Sequence, residues 1–159
     1  MIETLGEAIE VERRIQAPPE LVFTYFTDPK RYRRWQGVAA RLDPRPGGIY
    51  EVDYTASAGV RGRYVVVDPP NRLVFTWGWV GVGLPPGIGE VAPGSSSVEV
   101  LFIRDGDATI VRLRHSELPT HMAREMHGFA WVTVYLERLS VAVAGGDPGL
   151  DPVAVGWPE

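Results

Sequence analysis

Cysteine is absent from the 159 residues of this chain. The absence excludes disulfides, a thiolate nucleophile and cysteine-ligated zinc sites. Long apolar runs are missing too, so no segment has the sequence of a membrane-spanning helix. The first residues, MIETLGEAIEVERR, lack the apolar core of a secretory signal. We therefore expect a cytoplasmic protein that does not insert into a membrane.

The chain has few basic residues relative to acidic ones, 16 against 20, and its net charge is −4. Proteins that bind nucleic acids usually carry a basic excess, so we expect no nucleic-acid partner. A local basic cluster comprises Lys30, Arg31, Arg33, Arg34, Arg41 and Arg45. No aromatic residues alternate with these side chains to stack on bases, which favours a solvated helix face and loop.

The segment after the first strand is the most informative one present. Residues Ile9 to Gln16 alternate as a half-buried strand does, and Arg13 falls on the apolar side of that alternation. Two prolines then precede a short helix predicted at 21–26. Asp28 is a candidate cap for a second short helix predicted at 29–35.

Alternating apolar residues predict five further strands, at 50–55, 62–67, 73–79, 97–103 and 109–115. Tight turn sequences between them, such as Asp105-Gly106-Asp107, are typical of an antiparallel sheet. The stretch from 81 to 97 is rich in Gly, Pro and Ser and is interpreted either as a lid or as a disordered loop.

A single long amphipathic helix is predicted from His121 to about Ala144, because apolar residues recur there at helical spacing. The predicted apolar stripe comprises Met122, Met126, Phe129, Thr133, Leu136 and Ser140. Two glycines end the helix. We expect one domain over residues 1–145 and a flexible tail over 146–159, where turn-forming residues are frequent.

A sheet with one apolar face needs a partner, and the C-terminal helix is the long amphipathic element available. We therefore expect an α+β helix-grip fold, in which a curved antiparallel sheet wraps around that helix. The sequence also resembles the SRPBCC superfamily, also called START-like or birch-pollen-allergen-like, and within it the branch of homologues of the activator of the heat-shock protein 90 ATPase. The matching motifs are Ala17-Pro18, Val22-Phe23, Phe26, Asp28-Pro29, Trp35, Pro46-Gly47-Gly48, Tyr50, Val67-Asp68-Pro69-Pro70, Arg72-Leu73-Val74-Phe75-Thr76-Trp77 and Tyr135-Leu136-Glu137-Arg138-Leu139.

The resemblance implies an apolar cavity between sheet and helix that binds a small hydrophobic molecule. A non-enzymatic carrier or sensor is the leading interpretation. A cyclase or hydrolase using the same cavity is an alternative, and a chaperone-interaction module is another. A homodimer is also open.

Aromatic and methionine side chains supply most of the candidate ligand-binding residues. They offer large apolar faces, and Tyr and Trp add a polar tip, although an ordinary core would use the same residues. The candidates are Arg13, Phe26, Trp35, Tyr50, Tyr54, Tyr64, Trp77, Trp79, His115, Met122, Met126 and Trp131.

Arg13 and His115 are the polar members of this set, and strand parity places both on the apolar side. Either they bind the polar group of a ligand, or they lie near strand ends and reach water or a carboxylate. His121 and His127 are six residues apart, which suits no metal chelate, and both are interpreted as solvated. The sequence predicts no catalytic residues, metal ligands or cofactor.

Overall fold

The structure is a computed structural model that describes residues 8–153. Its main element is an antiparallel sheet of eight strands, which confirms the predicted sheet. The strands are β1 (Ile9–Ile15), β2 (Ala39–Leu42), β3 (Ile49–Thr55), β4 (Ala58–Asp68), β5 (Arg72–Trp77), β6 (Trp79–Gly81), β7 (Ser96–Asp105) and β8 (Ala108–Ser116). Their spatial order is β1-β8-β7-β5-β4-β3-β2, and β6 pairs with β4.

The first and last strands lie side by side, with Ile9 opposite His115 and Ile15 opposite Thr109. This pairing brings β1 next to the C-terminal helix, which follows β8 and packs along β1. A Cβ atom on Gly128 of that helix would lie 3.7 Å from Ile9 Cδ1. The predicted α+β helix-grip fold is confirmed.

The strand predicted at 73–79 is interrupted at Gly78. A Cβ atom there would lie 1.7 Å from the carbonyl oxygen of Ala92, so only glycine fits beneath the following loop. The chain resumes as β6, whose Trp79 faces Val60 of β4. Strand β2, which pairs with β3, was missed because its four residues lie directly before a stretch rich in Pro and Gly and were included in that turn region.

Two short helices follow β1, as predicted: α1 (Pro19–Thr24) and α2 (Pro29–Tyr32). Pro18 and Pro19 open α1, and the Asp28 carboxylate accepts a hydrogen bond from the Lys30 amide at 2.9 Å to cap α2. Turns continue α2 as far as Trp35. These pieces close one end of the sheet with Phe23, Phe26 and Trp35.

The C-terminal helix is continuous but changes type in its middle. It consists of α3 (His121–Phe129), a π-helical segment (Ala130–Tyr135) and α4 (Leu136–Val143). The π-helical segment has more residues per turn than an α-helix. Side chains at spacing four, namely Ala123, His127, Trp131 and Tyr135, therefore stay on the buried face.

The predicted apolar stripe is correct only in part. Leu136 is buried, but Met122 and Phe129 are 47% and 53% exposed, because α3 turns Ala123 and His127 to the interior instead. A π-helical segment wider by about one residue rotates the second half of the helix relative to the first.

No helix within residues 8–153 is long and apolar enough to cross a membrane.

Candidate functional site

Nine of the twelve predicted ligand-binding residues lie in the interior between sheet and C-terminal helix. They are Phe26, Trp35, Tyr50, Tyr54, Tyr64, Trp77, Trp79, His115 and Trp131, and all are buried. Their rings form a continuous cluster. The ring of Trp77 lies 5.2 Å from that of Trp131, 5.9 Å from that of Trp79 and 5.7 Å from that of His115.

A small enclosed cavity of about 30 Å³ lies at one end of this cluster. Of the predicted residues, Tyr54, Trp77, Trp79 and Trp131 line the cavity. Its volume suits one or two water molecules, whereas pockets for small organic ligands usually measure about 300–1,000 Å³. The structure therefore has a small gap lined by aromatic side chains, and a cavity large enough for a ligand stays a prediction.

Two walls of the cavity come from irregular segments that the sequence did not connect with it. Ile88 belongs to the loop over residues 82–95, and Val153 follows the C-terminal helix. Gln36, His127 and Tyr135 complete the polar part of the wall. Sequence reasoning did not identify these five residues as part of a cavity, since the position of each depends on how distant segments fold over the sheet.

Two tryptophan–histidine pairs join the sheet to the C-terminal helix. The indole Nε1–H of Trp79 donates to His127 Nε2 at 3.2 Å, and that of Trp131 donates to His115 Nδ1 at 3.2 Å. His127 must then carry its proton on Nδ1, which donates to the carbonyl of Ala123 at 2.8 Å. His127 was predicted to be solvated, which is wrong: it is 2% exposed.

The same reasoning fixes the proton on His115. Because Nδ1 accepts from Trp131, Nε2 carries the hydrogen and donates to Ser96 Oγ at 2.9 Å. Ser96 in turn donates to the carbonyl of Trp77 at 2.8 Å. A serine hydroxyl that accepts from histidine is not activated as a nucleophile, so this Ser–His contact is structural.

Burial lowers the pKa of both histidines. The pKa of His127 falls to about 4, although its bond to the Ala123 carbonyl opposes the shift. The pKa of His115 lies well below its usual value because of burial and the nearby His127. Both imidazoles are neutral at pH 7, which agrees with their role as hydrogen-bond acceptors for indole N–H groups.

A chain of buried hydroxyl and amide groups leads to the cavity from the sheet. Tyr32 donates to Gln36 Oε1 at 2.8 Å, so its hydroxyl oxygen accepts from Tyr50. The Gln36 Nε2 group donates to the Tyr54 hydroxyl at 2.5 Å. Donation thus runs from Tyr50 through Tyr32 and Gln36 to Tyr54. Burial raises the pKa of Tyr32, Tyr50 and Tyr54 well above the usual value, so all three stay protonated.

The segment over residues 147–153 is fastened across the end of the C-terminal helix, and we call it the strap. Arg138 donates to the strap carbonyls of Pro148 and Leu150 at 3.1 Å and of Gly149 at 3.0 Å, and to the Trp35 carbonyl at 2.9 Å.

The buried Asp151 carboxylate also holds the strap in place through hydrogen bonds. It accepts from the Gly37 amide at 2.6 Å and the Tyr135 hydroxyl at 2.9 Å. These contacts position Val153 in the cavity wall. Flexibility of the tail over 146–159 stays a prediction, and residues 154–159 lie outside the described residues.

The other three predicted ligand-binding residues lie outside the buried aromatic cluster. Arg13 is partly exposed and pairs with Glu137 of the C-terminal helix at 2.6 Å, which is the carboxylate alternative considered for it. Met122 is exposed, and Met126 packs at the edge of the core beside Gly87 of the loop. His121 is exposed and pairs with Glu125 at 3.2 Å.

No group of three or more His, Asp or Glu side chains within residues 8–153 could hold a metal ion.

Comparison with known proteins assigns the chain to a family. The profile described as "Activator of Hsp90 ATPase homolog 1-like protein" matches residues 16–144. The chain belongs to this family. An AHSA1-like protein from Rhizobium etli, solved by NMR, is 39% identical over 96% of this chain and 92% of its own, with a TM-score of 0.67.

Two further solved structures share the fold. CalU16 from Micromonospora echinospora is 27% identical over 93% of this chain and 79% of its own, with a TM-score of 0.68. DynU16, a protein of the dynemicin biosynthetic locus, is 22% identical with a TM-score of 0.72. The match covers 89% of this chain but 49% of DynU16, so this chain spans about half the length of that protein. No curated protein matches the chain.

Proposed function

We propose that this protein binds a small hydrophobic molecule in the interior between sheet and C-terminal helix, as a carrier or sensor. The observation that carries the proposal is the enclosed cavity walled by Tyr54, Trp77, Trp79, Trp131 and Tyr135. Aromatic walls with few polar groups are typical of ligand sites in proteins. They also supply large apolar contact areas without many flexible torsions.

The cavity must widen to admit such a ligand. It can widen at the two walls that are formed by the loop and the strap. Trp77, Trp79 and Trp131 are fixed by strands and by the π-helical segment, whereas Ile88 and Val153 are carried by the loop and the strap. Loops and chain ends move at lower cost than packed strands. A ligand that displaces Ile88 and Val153 would therefore gain volume without disturbing the sheet.

A cyclase or hydrolase in the same cavity has weaker support. Both nitrogens of His115 and of His127 are already hydrogen-bonded, and neither imidazole is in position to take a proton from a substrate. Neither histidine is therefore free to act as a general base. A chaperone partner rests on the family description alone.

Native mass spectrometry of freshly purified protein tests the proposal. We expect an adduct of a few hundred daltons, typical of small organic ligands, that is lost on denaturation. A matched Ile88→Trp variant fills the cavity and should carry less of the adduct while keeping its far-UV spectrum. Adduct-free protein that also shows no spectral change with any apolar probe would contradict ligand binding.

A further inference from the structure

The cavity wall contains two hydrogen-bond donors, one on Trp77 and one on Tyr54, that lack acceptors within the described residues. Among buried side-chain nitrogen and oxygen atoms of residues 8–153, the indole Nε1 of Trp77 is the one without a hydrogen-bond partner. An unpaired N–H group away from water is costly, and such a group is rare in folded proteins. Trp77 forms part of the cavity wall.

Tyr54 supplies a second free donor. Its hydroxyl oxygen accepts from Gln36, and no acceptor for its own proton is found in the described part of the chain. The donation from Tyr50 through Tyr32 and Gln36 ends on this hydroxyl. Successive hydrogen bonds polarise one another, so the terminal O–H is a stronger donor than an isolated tyrosine.

Most acceptors in the wall are already in use. His127 Nε2 accepts from Trp79, and the Gln36 carbonyl accepts from Tyr32. The Tyr135 hydroxyl donates its proton to Asp151, and its oxygen can still accept one hydrogen bond. Two free donors against one remaining acceptor favour a ligand that accepts hydrogen bonds, since unpaired donors of a ligand would lower its affinity.

The ligand should also be uncharged. No lysine or arginine belongs to the cavity wall. Arg138, which lies beyond it, already donates to four carbonyl groups. A carboxylate entering this site would lose its hydration without gaining a counter-ion, and burial of such a charge is strongly unfavourable.

We propose that the cavity selects a neutral, largely apolar aromatic molecule with a carbonyl-type oxygen, which accepts a hydrogen bond from Trp77 and from the Tyr54 hydroxyl. This inference rests on the proposed function, since it names the chemical class of the ligand. The carbonyl oxygen has two lone pairs and can use one donor or both.

Three probes with the same ring system distinguish a neutral acceptor from a purely apolar or an anionic ligand. They are indanone, which has a carbonyl group, indane, which lacks one, and indane carboxylate, which is anionic. Binding is followed in proton–nitrogen correlation spectra of labelled protein, in which each indole N–H gives its own signal. We expect indanone to bind about tenfold or more tightly than either other probe. The Trp77 indole signal should move downfield with indanone and not with indane.

Variants assign the donors. Trp77→Phe identifies the Trp77 signal, and Tyr54→Phe removes a single hydroxyl group. Each should reduce the preference for indanone over indane severalfold. Tyr64→Phe is the matched control, because the Tyr64 hydroxyl donates to the Phe26 carbonyl at 3.0 Å and Tyr64 is not part of the cavity wall. That variant should keep the preference of the unmodified protein.

The outcomes distinguish this inference from the function on which it rests. Equal binding of indanone and indane, or tightest binding of the carboxylate, overturns the assignment of donors while leaving hydrophobic ligand binding intact. Absence of binding by all three probes overturns both. If Trp77→Phe does not fold, Tyr54→Phe and the shift of the Trp77 signal in the unmodified protein still decide the question.

Discussion

The two ends of the interior use similar aromatic side chains but differ in how these are held. At the end closed by the short helices, Phe26 packs 4.9 Å from Trp35 and 5.2 Å from Phe102, measured between ring centroids. At the end with the cavity, Trp79 and Trp131 are held through their N–H groups by two histidines. We call these the packed end and the cavity end.

The difference follows from the polar tips of the rings. Phenylalanine rings at the packed end can adopt the positions of closest van der Waals contact, because phenylalanine has no polar group that a hydrogen bond could hold elsewhere. At the cavity end, the rings of Trp79, Trp131 and Tyr54 stop where their N–H and O–H groups meet partners, whereas Trp77 is held by packing alone. Hydrogen bonding thus fixes rings in positions that leave a gap, and the covering segments close over it.

The largest expected effect tests whether the cavity end is part of the stable core. Trp131→Ala should lower the free energy of unfolding by about 3–5 kcal/mol, since it removes a buried ring and the partner of His115. The neighbouring exposed Val132→Ala should change it by at most about 0.5 kcal/mol. Urea unfolding measures both variants. Equal stabilities would mean that Trp131 contributes little, and the comparison of the two ends would fail.

Arg138→Met is expected to destabilise the protein by about 2–3 kcal/mol, because four carbonyl groups lose a charged donor. Amide exchange should rise in the strap more than in β7. The control is Arg14→Met, which breaks an exposed ion pair with Asp105 and should cost less than about 1 kcal/mol. Unchanged exchange in the strap would show that Arg138 does not fasten it.

The histidines make the cavity end sensitive to acid in a way that the packed end is not. Their pKa values are lower in the folded protein than the unfolded value of about 6.5, so the unfolded chain binds more protons below that pH. The stability they contribute is complete above pH 6.5 and is lost as the pH falls toward the folded value, about 4 for His127. The loss should be about 1 kcal/mol or more per histidine at pH 5.5.

Imidazole signals in NMR spectra measured from pH 7.5 to pH 5 give a direct check. His115 and His127 should both stay neutral over this range, because burial lowers their pKa values. Titration of either of them near the ordinary value would contradict the proposed tryptophan–histidine pairing.

The smallest effect is expected at Arg13. Its ion pair with Glu137 is partly exposed, so Arg13→Met should cost at most about 1 kcal/mol. The affinity for indanone should not change, because Arg13 is not part of the cavity wall. A clear loss of affinity for indanone on this substitution would show that Arg13 contributes to ligand binding after all.

Much of the fold could be predicted from the sequence because its signals are local. Alternation of apolar residues predicted most strands, the prolines before Leu21 and Asp28-Pro29 predicted the short helices, and the long periodic segment predicted the final helix. The site was predicted less well. Strand parity placed Trp77 and Trp79 on the apolar side, and residue type alone suggested Trp131, but the same reasoning included the exposed Met122 and missed the buried His127.

By itself the sequence determined the order of elements, the antiparallel sheet with its covering helix, and an interior rich in aromatic residues. Only the tertiary structure decided which way the C-terminal helix faces, because the π-helical segment changes the spacing that brings His127, Trp131 and Tyr135 to the interior. It also decided that the strap and the loop close the cavity. Such contacts depend on partners far apart in the chain, such as Gly37 and Asp151, and leave no local periodic signal.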